Sequence, residues 1–570
     1  MRAPRLLVRC GLAVSLLAAA SLPGWPTAEA TTTATVTLLG SGYGHGVGLS
    51  QYGARGMALE GRTAPEILTH YYTGTTVTPV TDSMDLRVNL LHLVTSATFR
   101  SVAVDVGGGA LQVAIGGVGT VASSPADTWR ATKTSSGIVL SRTSTAGTTT
   151  YPATAAVTVR WAGTRFLPGP ATLLDLAGPG EALGDTTGRY RDGDVGLVAG
   201  TSTMEVVAVL RLHDEYLDGI AEMSSAWPAE ALRTQVVASR TYALNAYGSG
   251  AVTASCSCHL YDSVYSQVYA GWSKQSEAGG LGARWTSEVT STAATSTTGL
   301  AVLYAGAPIA AYFASSTGGH TRASENVWGG VLPYARSVDD HWSLQKTNNP
   351  LASWQVPVTT DRLRASVFPG LPDIARFQLT SFNADGTLAT ATAWSAAGAS
   401  ATATGAQLAS GLGLLSRWVT SFTTTLANSP APVVDVRAVA GYRMSGTREW
   451  LTWCEPFGVD QRCWSSIKAS TVVGTPGTYR VAYDWAFNDV TYLVTWTPAW
   501  DTNPLAVPGE RTIGGRLWNI TCSPAATGPR LCRAMIWATV VDAQPQPGGG
   551  YLFVKITRWV YNDDVRISGV

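Results

Sequence analysis

Between residues 85 and 215 the chain returns repeatedly to one pattern, a short β-branched run cut off by glycine. LRVNLL, SVAVDV, LQVAI, GIVLS, AAVTVRW and MEVVAVLRL follow one another there. Such runs read as strands, because branched side chains pack well on a pleated surface and glycine marks the turns between them. Charged residues make up only 14% of the chain, while Thr, Ser, Ala and Gly dominate. The expectation is an α+β protein, mostly β and multidomain, with a few helices.

Two stretches break the β pattern. Residues 228–247, PAEALRTQVVASRTYALNAY, predict the strongest helix. Pro228 suits the first helical position and Glu230 the positive helix end, and Leu232, Val236, Ser239 and Ala243 form a buried stripe. Near the start, GSGYGHGVGLSQYGARGMA (40–58) sets glycines at 40, 42, 44, 46 and 48 around His45. A short helix through Ala54, Met57 and Ala58 follows. Pro65 then opens another, with Ile67, Leu68 and Tyr71 on its apolar face. The glycines are not a dinucleotide loop, since G-x-G-x-x-G would need glycine at Val47 or Leu49. They allow positive φ and a close backbone approach to a ligand; turn scaffolding is the other reading.

The end of the chain repeats itself. REWLTWCEPFGVDQRCWSSIKAS (448–470) aligns with RLWNITCSPAATGPRLCRAMIWAT (516–539), and each half closes alike, in DWAFNDV and RWVYNDDV. An all-β C-terminal domain of two repeats is expected, each with one cysteine pair, Cys454–Cys463 and Cys522–Cys532. Its tryptophans, Trp485 and Trp559 among them, belong either to a core or to an exposed aromatic platform.

The first thirty residues read as a secretory signal: a basic start, a short apolar run and Ala28-Glu29-Ala30 at the cut. No later run reaches the roughly 18 apolar residues of a membrane span. The expected product is therefore secreted, with no membrane span and no cytosolic cofactor. A net charge of +1 offers no basic face for nucleic acid.

No Gly-x-Ser-x-Gly elbow and no His-Glu-x-x-His helix is present, so neither a serine hydrolase nor a zinc peptidase has its motif. What remains is EYLDGIAEMSSAWPAEALRTQVVASRTYAL (215–244), in which Glu222 sits among Ile220, Met223 and Trp227. Apolar neighbours strip water from a carboxylate and raise its pKa, which suits it to donate a proton to a leaving oxygen.

The same run resembles the signature of the stage II sporulation protein D family, which contains peptidoglycan lytic transglycosylases and amidase enhancers. YDSVYSQVYAGW (261–272), YFASSTGGHTRASENVWGG (312–330) and LPYARSVDD (332–340) match later motifs of that family in order. The glycine segment resembles one that usually closes the domain, so the chain reads as circularly permuted. The resemblance implies an exported lytic transglycosylase cleaving glycan strands to 1,6-anhydro-N-acetylmuramic acid ends, with Glu222 catalytic. His45, Gln51, Tyr52, Arg240, Gln267, Tyr269, Ser315 and His320 would bind the glycan. A non-catalytic wall-binding protein that stimulates a cell-wall amidase is the alternative. CSCHLYDSVYSQ also resembles a region where cysteines and histidine hold zinc. Ser266 stands where a further cysteine belongs, which leaves Cys256, Cys258 and His259, and a Cys-x-Cys disulfide stays open; no cofactor is expected. The resulting domains are a signal (1–30), a permuted glycine-rich segment (31–77), a catalytic region with a β-rich insertion and a helix-lined cleft (78–426), a linker (427–434) and the duplicated domain (435–570).

Overall fold

In the computed structural model the described residues are 34–568 without 185–187, 346–347, 427–436, 438–440, 446–447, 458–459, 496, 498–499, 501, 524–529 and 547–548. The signal read at 1–30 and the linker read at 427–434 lie outside the described residues. Five of the six glycine-bounded runs lie almost wholly in strands, and SVAVDV supplies only the last three residues of Ser96–Ala103. They divide between two antiparallel-rich sheets. One has seven strands, ordered Leu260–Tyr261, Asp85–Val94, Met204–Arg211, Asp194–Ala199, Ala156–Trp161, Leu111–Ile115 and Gly119–Ser123. The other has six, with Gly137–Ser144 and Ser96–Ala103 among them. Alternation fixes which side chains turn inward. Val157, Val159 and Trp161 from the first sheet meet Phe99, Trp129 and Leu140 from the second in one core.

Three helices build the adjoining region: α1 (Gln51–Leu59), α2 (Ala64–Tyr71) and α3 (Ala229–Tyr247). Ser50 caps α1 by accepting from the Gly53 N–H. Glu66 turns back to the Thr63 N–H at 2.8 Å to close the start of α2. Helix α3 is buried almost all round rather than along one stripe. Besides Leu232, Val236, Ser239 and Ala243 it hides Thr234, Gln235, Val237 and Thr241. The reason is that α1, α2, the helix Leu281–Ser291 and the strand Thr298–Tyr304 all pack on it, and a helix covered on every side needs no polar face.

The early glycine-rich segment is woven into distant parts of the chain. Strand Thr35–Ser41 lies between Trp354–Thr359 and Trp418–Thr424 as the middle of three antiparallel strands. Leu49–Ser50 pairs in parallel with Phe313–Ala314. Val47, Leu49, Met57, Ile67, Leu68 and Tyr71 then share a core with Val237 of α3 and with Val302, Ile309 and Ala311.

Arg240 corrects one expectation. Its guanidinium is fully buried and does not reach any cavity wall described below. Nε pairs with Asp82 Oδ2 at 2.7 Å and Nη1 donates to Thr292 Oγ1 and the Leu300 carbonyl. The other Asp82 oxygen meets His213 Nδ1 at 2.6 Å. This buried pair ties the residue after strand Thr76–Thr81 to α3. Asp82→Asn strands the Arg240 charge in the core, so a loss of about 3–5 kcal/mol in urea unfolding is expected.

The tail forms one eight-stranded sheet. Its order is Gly441–Ser445, Arg448–Phe457, Asp460–Val473 and Arg480–Thr495, then Tyr551–Ser568, Arg530–Pro545, Arg516–Cys522 and Gly509–Ile513. Each set of four is an antiparallel meander, and the two meet along the parallel pairing of Val490 with Asp563. Cys454 stands directly opposite Cys463, and Cys522 opposite Cys532, and both pairs are disulfides. Trp559 is half-buried against Trp537, itself 44% exposed.

Candidate functional site

Glu222 sits on an irregular loop that is held like a strand. Ile220 bridges Tyr269, the Ala221 N–H donates to the Val268 carbonyl at 2.9 Å, and the Ala270 N–H donates to the Gly219 carbonyl at 2.8 Å. Glycine is required at 219, since a Cβ there would lie 2.3 Å from the Tyr269 ring. This pairing brings the Val268 N–H within 2.6 Å of Glu222 Oε1. Oε2 takes no hydrogen bond from the described residues, so one carboxyl oxygen is free for a substrate. Burial raises the Glu222 pKa above the ordinary carboxylate range, partly offset by the Val268 N–H. The carboxyl therefore keeps its proton at a higher pH than an exposed glutamate would.

The carboxyl opens into a cavity of about 510 Å³ lined by Tyr43, Gly44, His45, Gln51, Tyr242, Val264, Tyr265, Ser266, Tyr312, Phe313, Ala314, Ser315 and Trp328. Among its described lining residues Glu222 is the only carboxylate. Tyr43 and Trp328 are about half exposed at its mouth, and Tyr265 is 87% exposed. One wall is thus aromatic, with hydroxyls set between the rings.

The glycine-rich loop supplies part of that wall. Tyr43 and Ser316 exchange backbone hydrogen bonds, and the Tyr52 N–H donates to the Ser315 carbonyl at 3.0 Å. Gly48 has φ +74°, and a Cβ there would fall 2.1 Å from the Tyr312 carbonyl oxygen. Gly48→Ala is therefore expected to cost at least about 1–3 kcal/mol from backbone strain alone, measured as a lowered urea midpoint. His45 Nδ1 accepts from the Val47 N–H, and burial pulls its pKa down to about 4. The ring is neutral at physiological pH. It serves as a flat wall, 5.1 Å from the Trp328 ring.

Gln51 also lines the cavity, but its amide faces the protein. Nε2 donates to the Glu222 carbonyl at 3.0 Å and to Gln235 Oε1 at 3.2 Å. Ser315 lines the cavity as well. Tyr52 does not; it packs on Trp227, 4.8 Å between ring centres. Gln267, Tyr269 and His320 are corrections alongside Arg240, because all three are buried away from the cavity. Gln267 accepts from the Tyr216 hydroxyl, Tyr269 stacks between Tyr190 and Tyr216, and His320 bridges Asp339.

The sequence motifs name the right segments but not the side-chain directions. On α3 two residues turn the helix by about 200°, so Tyr242 faces the cavity and Arg240 the core. Ser266 closes a turn on the Ser263 carbonyl at 2.9 Å, and the chain changes direction there, so Val264, Tyr265 and Ser266 line the cavity while Gln267 is buried. Tyr43, Tyr242, Val264, Tyr265, Tyr312, Phe313, Ala314 and Trp328 are the wall residues the sequence reading does not single out. All of them lie inside the motifs it quotes, and Ser266, read there only as a missing cysteine, joins them in the wall.

The zinc reading does not fit. Cys256 and Cys258 form a disulfide with each other, so neither offers the thiolate that zinc binds. His259 Nδ1 accepts from the Arg87 N–H at 2.9 Å. Among the described residues no group of three or more His, Cys, Asp or Glu is placed to hold a metal.

The family model described as stage II sporulation protein matches residues 201–304, a stretch that contains Glu222, α3 and the Ser266 wall. Over this stretch the chain is similar to the stage II sporulation protein D family. It is 32% identical over 142 residues to the amidase enhancer of Bacillus subtilis (strain 168), covering 25% of this chain and 16% of that relative. It is 54% identical over 43 residues to stage II sporulation protein D of the same organism, covering 8% and 12%. An uncharacterized protein of Brachyspira hyodysenteriae is 34% identical over 171 residues, covering 28% and 43%. The chain spans less than half the length of each of these relatives. No helix among the described residues is long and apolar enough to cross a membrane.

Proposed function

We propose that this protein is an exported peptidoglycan lytic transglycosylase and that Glu222 is its acid and base. One observation carries the reading: a single, half-buried carboxyl with a raised pKa and one free oxygen, in a cavity walled by aromatic rings. Glycosidases that use water need two flanking carboxylates. A muramic acid residue carries its own nucleophile, the 6-hydroxyl. Glu222 donates its proton to the glycosidic oxygen as the C1–O bond breaks. The 6-hydroxyl then attacks C1 and returns its proton to Glu222, leaving a 1,6-anhydro end with no water consumed. An intramolecular hydroxyl reaches effective molarities of about 10⁵ M or more, which replaces the second carboxylate.

The amidase-enhancer relative favours a second reading, in which the cavity binds wall glycan without cutting it and stimulates a cell-wall amidase. The two readings separate when purified wall glycan is incubated with this protein alone. Release of soluble fragments supports cleavage; release only after an amidase is added supports the second reading.

Two further assignments belong to this proposal. The glycine-rich segment is a permuted part of the catalytic domain, a reading supported by the middle position of Thr35–Ser41 in its sheet. The tail is a duplicated wall-attachment domain, supported by its two like-ordered meanders with cysteine pairs at matching places.

A further inference from the structure

The loop that carries Glu222 has a second side. Beyond it lies another cavity, of about 350 Å³, edged by Ser224 and Ser273 and walled by Lys274 and Glu277. Glu222 lines this cavity and the aromatic one alike. Glu222 therefore stands in the partition between two spaces of different chemistry.

The second space is polar and balanced in charge. Lys274 is only 5% exposed, and its ammonium donates to the Met223 carbonyl at 2.8 Å and to Glu277 Oε2 at 3.2 Å. An ammonium has three donors, so one N–H is left without a hydrogen-bond partner among the described residues. Glu277 Oε2 also accepts from Ser225 Oγ at 2.6 Å, while Oε1 accepts from none of the described residues. Lys274 and Ser224 offer donors, while Glu277 and the Ser273 hydroxyl oxygen, whose own proton goes to the Ala270 carbonyl at 3.0 Å, offer acceptors. A paired cation and carboxylate do not attract a net charge. The set suits a neutral ring that bears hydroxyl and amide groups.

The geometry points to a two-sided saccharide site. The linkage to be cut lies over Glu222, one sugar stacks in the aromatic cavity, and the neighbouring acetamido sugar hydrogen-bonds in the Lys274–Glu277 cavity. This rests on the glycan reading above and adds a subsite to it. It also explains why the acid sits on a loop between cavities rather than at the bottom of one: both sides of the bond need a seat.

The test uses the full chain with Glu222→Gln, so that the ligand survives, and calorimetric titration with two probes. These are a disaccharide and a tetrasaccharide of alternating N-acetylglucosamine and N-acetylmuramic acid. Ser224→Trp and Ser273→Tyr, each added to that background, fill the polar cavity. Ser224 is exposed, so its variant leaves the core untouched. Each is expected to weaken the tetrasaccharide about tenfold or more and to weaken the disaccharide as well, since two sugars are enough to span both cavities. Trp328→Ala is expected to weaken both probes. If the tetrasaccharide binds the two serine variants unchanged while Trp328→Ala weakens it, the polar cavity is not a subsite and the glycan reading stands. If neither saccharide binds the Glu222→Gln protein, the glycan reading falls and the subsite falls with it.

Discussion

Glu222→Gln is expected to lower glycan cleavage by about 10⁴-fold or more, since one carboxyl acts as acid and then as base and each role is worth about 10²–10⁴. The amide keeps the shape of the side chain, and its oxygen still accepts from the Val268 N–H. Folding should survive. The raised pKa gives the direction of the stability change. What Glu222 contributes to stability is complete below the ordinary unfolded glutamate value and is lost as pH rises through the higher folded value. The glutamine variant has no such loss. It should melt at or above the wild-type temperature near pH 8, with the difference closing below about pH 4. Wild-type activity should fall over the same rise in pH as the acid form of Glu222 disappears. Thermal melts and initial rates across pH check both expectations.

A chain beginning at residue 80 should neither fold cooperatively nor cut glycan. Removing the glycine-rich segment takes away the middle strand Thr35–Ser41 and leaves Trp354–Thr359 and Trp418–Thr424 without their shared partner. It also removes five fully buried side chains, Val47, Leu49, Met57, Ile67 and Leu68. Each contributes roughly 1.5–3 kcal/mol. Together they match the whole stability of an ordinary domain, about 5–15 kcal/mol. The Gln51 hydrogen bond to the Glu222 carbonyl goes with them. Loss of near-ultraviolet dichroism and a broad, non-cooperative melt are the expected results. A sharp melt with normal cleavage would make the segment an appendage.

The β-rich region was largely legible, because alternating β-branched runs and glycine turns carry the period of a strand on their face. All six quoted runs contain strand, SVAVDV only in its first half, and the long helix begins at Ala229, one residue past the proline that announces it. The two-residue pairings that join Leu49–Ser50 to Phe313–Ala314 were not legible. Their partners lie more than 260 residues apart and carry no local pattern. Glu222 was legible from its apolar neighbours. The wall around it was not, because Arg240 and Tyr242, or Gln267 and Ser266, are close in sequence and face opposite ways. Direction follows from packing on α3 and on the Tyr269 loop, and packing is settled by distant segments.

The central claim is that Glu222 drives an intramolecular cleavage, and the mass of the new glycan ends tests it most directly. Purified glycan strands incubated with the wild-type chain should yield muramic acid ends one water lighter than hydrolysed ends, and the Glu222→Gln chain should yield none. Ends carrying the added water, or equal yields of anhydro ends from both chains, would contradict the account.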